Sequence, residues 1–215
     1  YQAQRRGGRG RSASAVKEED FIEKLLVTNS HDTLLCFSDR GKVYWLRTFQ
    51  IPIASRAARG RPVVNILPLG EGERITAMLP IEGYGEDQFI LMATANGTVK
   101  KTPLMDFARP RSSGLIAIEL EDDNTLIGAS VTDGASDVML FSSGGRAIRF
   151  KEQDVRAMGR SARGVRGIKL RASEAVISLI IPNAAGTLLL ASEKGYGKRT
   201  PVEEFSVIGR GGQGV

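Results

Sequence analysis

The sequence predicts an all-β fold of four-stranded blades in a propeller-like, radial array. Three observations carry that reading. A pattern of about 50 residues recurs four times, short apolar segments alternate with glycine turns, and no amphipathic stretch is long enough for the helical crossovers of a parallel sheet. The turn glycines are Gly41, Gly97, Gly145 and Gly195, and the loop glycines are Gly60, Gly114, Gly164 and Gly214. Ten residues beyond each turn glycine stands an apolar residue: Ile51, Phe107, Val155 and Phe205.

Each unit reads as a succession of strands rich in Val, Leu, Ile and Phe. The first offers Lys24–Asn29, Thr33–Asp39, Lys42–Thr48 and Val63–Leu67. The second offers Ile75–Ile81, Gln88–Thr94, Thr98–Thr102 and Ile116–Leu120, and the third Leu126–Thr132, Val138–Ser143, Ala147–Phe150 and Gly167–Leu170. The fourth supplies Val176–Ile181, Thr187–Ser192 and Gly197–Thr200 before Val215. Short helical turns are expected around Pro103–Phe107 and Pro201–Phe205. The units span roughly 12–70, 71–122, 123–171 and 172–215, and the array reads as part of a larger ring.

The composition agrees with a folded chain: 41% of residues are apolar and 25% are charged. No stretch approaches the length needed to cross a bilayer, so no membrane partner is expected. A lone cysteine, Cys36, points to a reducing, cytoplasmic setting. The formal charge of +6 conceals a strong alternation. Residues 41–61 hold five basic and no acidic residues, and 97–114 hold four against one. The ratio is six against two in 145–164 and three against two in 195–214, a combined +13. Positive charge therefore recurs at one position per unit, the third strand and the loop after it.

Such positions stack along the outer edge of a radial fold, forming a track for a phosphate backbone. The candidate contacts are Lys42, Arg47, Arg56, Arg59 and Arg61 in the first unit, and Lys100, Lys101, Arg109 and Arg111 in the second. Arg146, Arg149, Arg156, Arg160 and Arg163 follow in the third, with Lys198, Arg199 and Arg210 in the fourth. A continuous track requires Arg47, Lys101, Arg149 and Arg199 to share one edge. Lysines on an exposed edge strand would also guard against aggregation, but that does not explain the arginines of the adjacent loops.

The segment Gln4-Arg5-Arg6-Gly7-Gly8-Arg9-Gly10 packs three guanidinium groups among glycines. It resembles the Q-R-R-G-G-x-G box of the bacterial DNA gyrase A subunit, and every fixed position matches. Arg40-Gly41-Lys42-Val43-Tyr44, Met92 to Thr102 and Gly195-Tyr196-Gly197-Lys198-Arg199-Thr200 extend the resemblance along the chain. It implies a C-terminal β-pinwheel, with about four of the family's six blades present here, and duplex DNA wrapped around a basic perimeter so that negative supercoils can be introduced. It also implies a piece of an ATP-hydrolysing type IIA topoisomerase that itself carries no catalytic residue. ATP and Mg belong to the holoenzyme, in which A and B subunits of gyrase form an A2B2 assembly. An alternative is a bladed scaffold, or a topoisomerase IV-type domain, that binds DNA or an acidic partner without wrapping.

Other motifs are weaker. Gly209 to Gly214 fits G-x-G-x-x-G, but no helix or acidic residue follows, and the segment aligns with the loop glycines. His31 is the only histidine and lacks companion ligands for a metal. Trp45 suits either base stacking or packing between blades.

Overall fold

The computed structural model describes residues 3–8, 22–55 and 58–215. Each repeat contributes one long antiparallel hairpin. These are β1 (Thr33–Ser38) with β2 (Lys42–Arg47), β4 (Phe89–Thr94) with β5 (Thr98–Pro103), β8 (Asp137–Ser142) with β9 (Ala147–Lys151), and β12 (Thr187–Ala191) with β13 (Gly197–Pro201). The turn glycines close them. Gly97 has φ +91 and donates its N–H to the Thr94 carbonyl at 3.0 Å. A Cβ there would stand 2.7 Å from the Ile168 carbonyl oxygen, so both conformation and space demand glycine.

The remaining strands are β3 (Ile75–Ile81), β6 (Leu115–Ile116), β7 (Leu126–Thr132), β10 (Val165–Arg166) and β11 (Val176–Ile180). They complete sheets one repeat behind their own. The first sheet runs β3-β1-β2-β6 and the second β10-β5-β4-β7. The third, β11-β8-β9, is extended by Val215, which exchanges two backbone hydrogen bonds with Ala147 at 2.8 Å. A sheet thus takes its hairpin from one repeat and both flanking strands from the next.

This exchange corrects several expected strands. Residues 24–29 form no strand, and Val63–Asn65 is a 3-10 turn. With Leu67, Ile66 and Leu69, that turn packs against Leu34, Cys36, Tyr44 and Leu46 and covers the outward face of the first sheet. The outermost strands are two-residue bridges at 115–116 and 165–166, earlier than expected and on the preceding sheet. The expected helical turns are present as 3-10 helices at Leu104–Phe107 and Val202–Glu204, with equivalents at Thr48–Gln50 and Glu152–Asp154.

The first strands of three hairpins, β1, β4 and β8, are apolar along their centres without alternation because both of their faces are buried. Leu35 and Phe37 join Ile90 and Met92 in one core, while Leu91 and Ala93 join Val138 and Leu140 in the next. Met139 and Phe141 then face Leu188 and Val202. From the second repeat on, the residue ten past the turn glycine plugs into the preceding sheet, whereas Ile51 in the first repeat is exposed. Phe107 meets Phe37 edge to face at 5.9 Å, Phe205 meets Phe141 at 6.3 Å, and Val155 shares a core with Ala93.

Candidate nucleic-acid interface

The strand exchange decides where the basic loops lie. After its 3-10 turn, the loop of the third and of the fourth repeat runs back along the third strand of the preceding sheet. Ala157 bridges Lys101 and Met158 N–H donates to the Lys101 carbonyl at 2.8 Å; Val207 and Ile208 repeat this against Arg149. The loop glycine permits the close approach. Gly164, at φ +97, lies against the Val99 carbonyl with no room for a side chain. The loops are therefore the outermost layer. Arg59, Arg61, Arg109, Arg111, Arg156 and Arg163 are exposed on them, and Arg160 is half-buried. Arg109, Arg111 and Arg160 line a cleft of about 740 Å³ with Leu115, Ile116 and Ser161.

The third strands are different. Lys100 is wholly buried, and its Nζ donates to the carbonyls of Ala117, at 2.7 Å, and Arg160. Burial, with the Arg160 charge nearby, pushes its pKa down to about 8. Lys101 is also buried, donating to the Glu152 carbonyl at 3.2 Å beside the Glu152 carboxylate and the Phe89 ring. Neither ammonium can reach a phosphate. The edge-strand explanation fails for the same reason, since β5 lies inside its sheet.

Arg149 is withdrawn as well. Its Nη1 donates to the carbonyls of Val202 and Phe205 at 2.8 and 3.0 Å, and its other nitrogens hold Asp137. Trp45, Lys101, Arg149 and Arg199 occupy the same register position, opposite Leu35, Leu91, Met139 and Leu189. At the first three, a long donor reaches the 3-10 turn of the following repeat; Trp45 Nε1 donates to the Phe107 carbonyl at 3.0 Å. The position is an inter-sheet latch, and Trp45 is a packing residue. Arg47 sits two residues further on, opposite Thr33, and is exposed. The four residues expected to mark one exposed edge thus divide, with Arg47 and Arg199 exposed and Lys101 and Arg149 engaged between sheets.

Lys198 is exposed, while Lys42 and Arg146 are half-buried. Arg210 is half-buried and spends its guanidinium on the carbonyls of Asp154 and Arg166. Gln4, Arg5, Arg6, Gly7 and Gly8 are exposed around a turn in which Gly8 N–H donates to the Arg5 carbonyl at 3.0 Å. Arg9, Gly10 and Arg56 lie outside the described residues. Arg166, Lys169 and Arg171 are exposed on and after the outermost strand β10. Sequence reasoning missed them because the third repeat's charge count stopped at Gly164; their signal is the basic run immediately beyond that glycine.

Among the described residues, no group of three or more His, Cys, Asp or Glu is placed to hold a metal ion. Burial pushes the Cys36 thiol up to about 12, which suits a core residue rather than a nucleophile. No helix among the described residues is long and apolar enough to cross a membrane.

The family model for the DNA gyrase C-terminal domain, beta-propeller, matches residues 1–29, 32–82, 88–133, 136–183 and 186–215. The chain belongs to this gyrase C-terminal domain family. The DNA gyrase A subunit of Salmonella typhimurium is 58% identical over the whole chain, which covers 24% of that protein. Its Escherichia coli K12 counterpart is 54% identical, again over the whole chain and 25% of its own length. The chain therefore spans about a quarter of the curated relatives it matches. Among solved structures, a topoisomerase IV C-terminal domain superposes with a TM-score of 0.81 at 29% identity, over 94% of this chain and 64% of that one. A gyrase A C-terminal domain gives 0.76 at 26% identity, over 94% and 68%. As a gyrase C-terminal domain, the chain has its all-β, propeller-like architecture in common with these relatives, and its cationic loops lie on the outside of that architecture.

Proposed function

We propose that this domain binds duplex DNA along its outer edge and wraps it, largely without regard to sequence, so that a gyrase can introduce negative supercoils. The carrying observation is that the arginine-bearing loop of one repeat lies outside the third strand of the repeat before it, so guanidinium groups recur at the periphery. Arginine forks suit phosphate oxygens, and a track of phosphate contacts offsets a bending cost of several kcal/mol. The proposed contacts are Arg47, Arg59, Arg61, Arg109, Arg111, Arg156, Arg160, Lys198 and Arg199, joined by Arg166, Lys169 and Arg171. The box at Gln4–Gly10 secures the wrapped path. The segment serves within an A2B2 holoenzyme that includes the gyrase B protein, where ATP and Mg act, and itself supplies no catalytic group. As part of such a bacterial enzyme it works in the cytoplasm, at the nucleoid.

Affinity measured against duplexes of increasing length tests this reading. Wrapping requires affinity to climb until the duplex follows the whole edge, whereas a platform for an acidic protein predicts no length dependence. Replacing Arg109 and Arg111 by alanine should weaken all sequences equally and flatten the salt dependence by about 0.9 for each phosphate no longer neutralised.

A further inference from the structure

The junction between the second and third repeats carries opposed charges on its surface. Arg163 Nη2 lies 3.1 Å and Nε 3.4 Å from Glu119 Oε1, and Nη1 lies 4.0 Å from Glu121 Oε1. All three side chains are more than half exposed, at 62, 52 and 63%. The next junction repeats the backbone geometry with different chemistry. Glu119 N–H faces the Ala162 carbonyl at 3.4 Å, and Lys169 N–H faces the Gly212 carbonyl at 2.8 Å. Lys169, Arg171 and Gln213 therefore stand where Glu119, Glu121 and Arg163 stand one repeat earlier. One junction presents net cationic side chains to the periphery. The other presents a guanidinium already occupied by two carboxylates.

We propose that Glu119 and Glu121 gate Arg163, competing with DNA phosphate for the same guanidinium, so that this junction is the weak point of the cationic track. The proposal rests on the DNA-binding reading above. A phosphate oxygen offers Arg163 the same acceptor chemistry as a carboxylate, and the Nε–Nη2 edge that faces Glu119 can hold only one of them in a forked pair. While it is paired internally, Arg163 has no condensed counterion of the DNA to replace, so it adds little to the salt dependence of binding. Freed, it behaves as one further phosphate contact. Exposed pairs of this kind are weak enough for DNA to displace, which makes the junction a place where the duplex can lift from the edge without releasing its other contacts.

A double-mutant cycle tests the gate, using a duplex long enough to span the edge and a salt titration of each variant. E119Q/E121Q keeps the side-chain shapes and removes their charges. It should bind roughly fivefold tighter, with a salt slope steeper by about 0.9. R163A alone should change affinity and slope little. Adding E119Q/E121Q to R163A should produce no gain in slope and under twofold in affinity. Equal gains with and without Arg163 would overturn the gate and leave a general field of the acidic loop, to which Asp122 and Asp123 contribute unchanged in every variant. A wild-type chain that shows no salt-dependent duplex binding would overturn the DNA reading together with the gate, an outcome distinct from additive gains.

Discussion

Asp137 grips Arg149 through a single carboxylate oxygen, with Nε at 2.8 Å and Nη2 at 2.5 Å from Oδ2. That grip aims the remaining nitrogen, Nη1, at the carbonyls of Val202 and Phe205 in the following repeat. The ion pair within one sheet thus orients the latch to the next.

Replacing Asp137 by asparagine should destabilise the domain by about 2 kcal/mol, and Arg149 by alanine by a similar amount. The double variant should fall well short of the sum, because both changes break one network. Urea unfolding of the four proteins checks this. Burial would raise the Asp137 pKa, but hydrogen bonds from Lys151 and Arg149 and their charges hold it below the ordinary 3.8. The folded form therefore binds fewer protons. The stabilisation is complete above the ordinary value and is lost as pH falls through the depressed one, so wild type and D137N should converge in acid.

Lys100 makes the opposite prediction in alkali. Its folded pKa of about 8 lies below the ordinary 10.5, so between these values the unfolded chain binds more protons. Stability should rise from pH 8 toward pH 10. Above that, Tyr44 opposes it, because burial and the Glu73 carboxylate push its hydroxyl up to about 12. Lys100→Met should remove the rise, as thermal melts between pH 7.5 and 9.5 would show. It should leave the salt dependence of DNA binding unchanged, because the ammonium is buried.

Two turn glycines separate conformational strain from collision. Gly145→Ala meets open space at φ +76 and should cost about 1 kcal/mol. Gly97→Ala places its methyl against the Ile168 carbonyl and should cost roughly 3 kcal/mol. Chemical denaturation of both variants decides, and equal losses would mean that the junction yields without resistance.

Alanine throughout Gln4–Gly10 should leave short-duplex affinity nearly intact, since the loop arginines lie elsewhere. It should abolish the linking-number shift when a bound nicked circle is sealed. In a full gyrase the same change should remove negative supercoiling and spare ATP-dependent relaxation. Collapse of short-duplex affinity would instead make the box the principal binding site.

The repeat, the all-β class and the basic loops were legible because each follows from local chemistry. The glycines at 97 and 164 mark backbone that no other residue adopts comfortably, and Phe107 and Val155, ten past their turn glycines, mark buried plugs. The charge pattern also named the loop arginines that reach solvent. It failed for Lys100, Lys101 and Arg149, whose sequence context is as basic as that of Arg109 or Arg156.

Local sequence is enough to define the unit: a hairpin, a glycine turn, a 3-10 turn with its plug, and a basic loop with its own glycine. Those are set by backbone conformation and side-chain polarity over a few residues. Which strands share a sheet is settled by packing across the whole fold. Flanking strands join the hairpin of the preceding repeat, so β5 becomes interior and the loop after β9 becomes its outer cover. Register within a hairpin is local, but pairing between hairpins depends on burying both faces of each sheet at once. That condition turns one cation into a latch bonded to carbonyls and leaves its neighbour, a few residues away, in water.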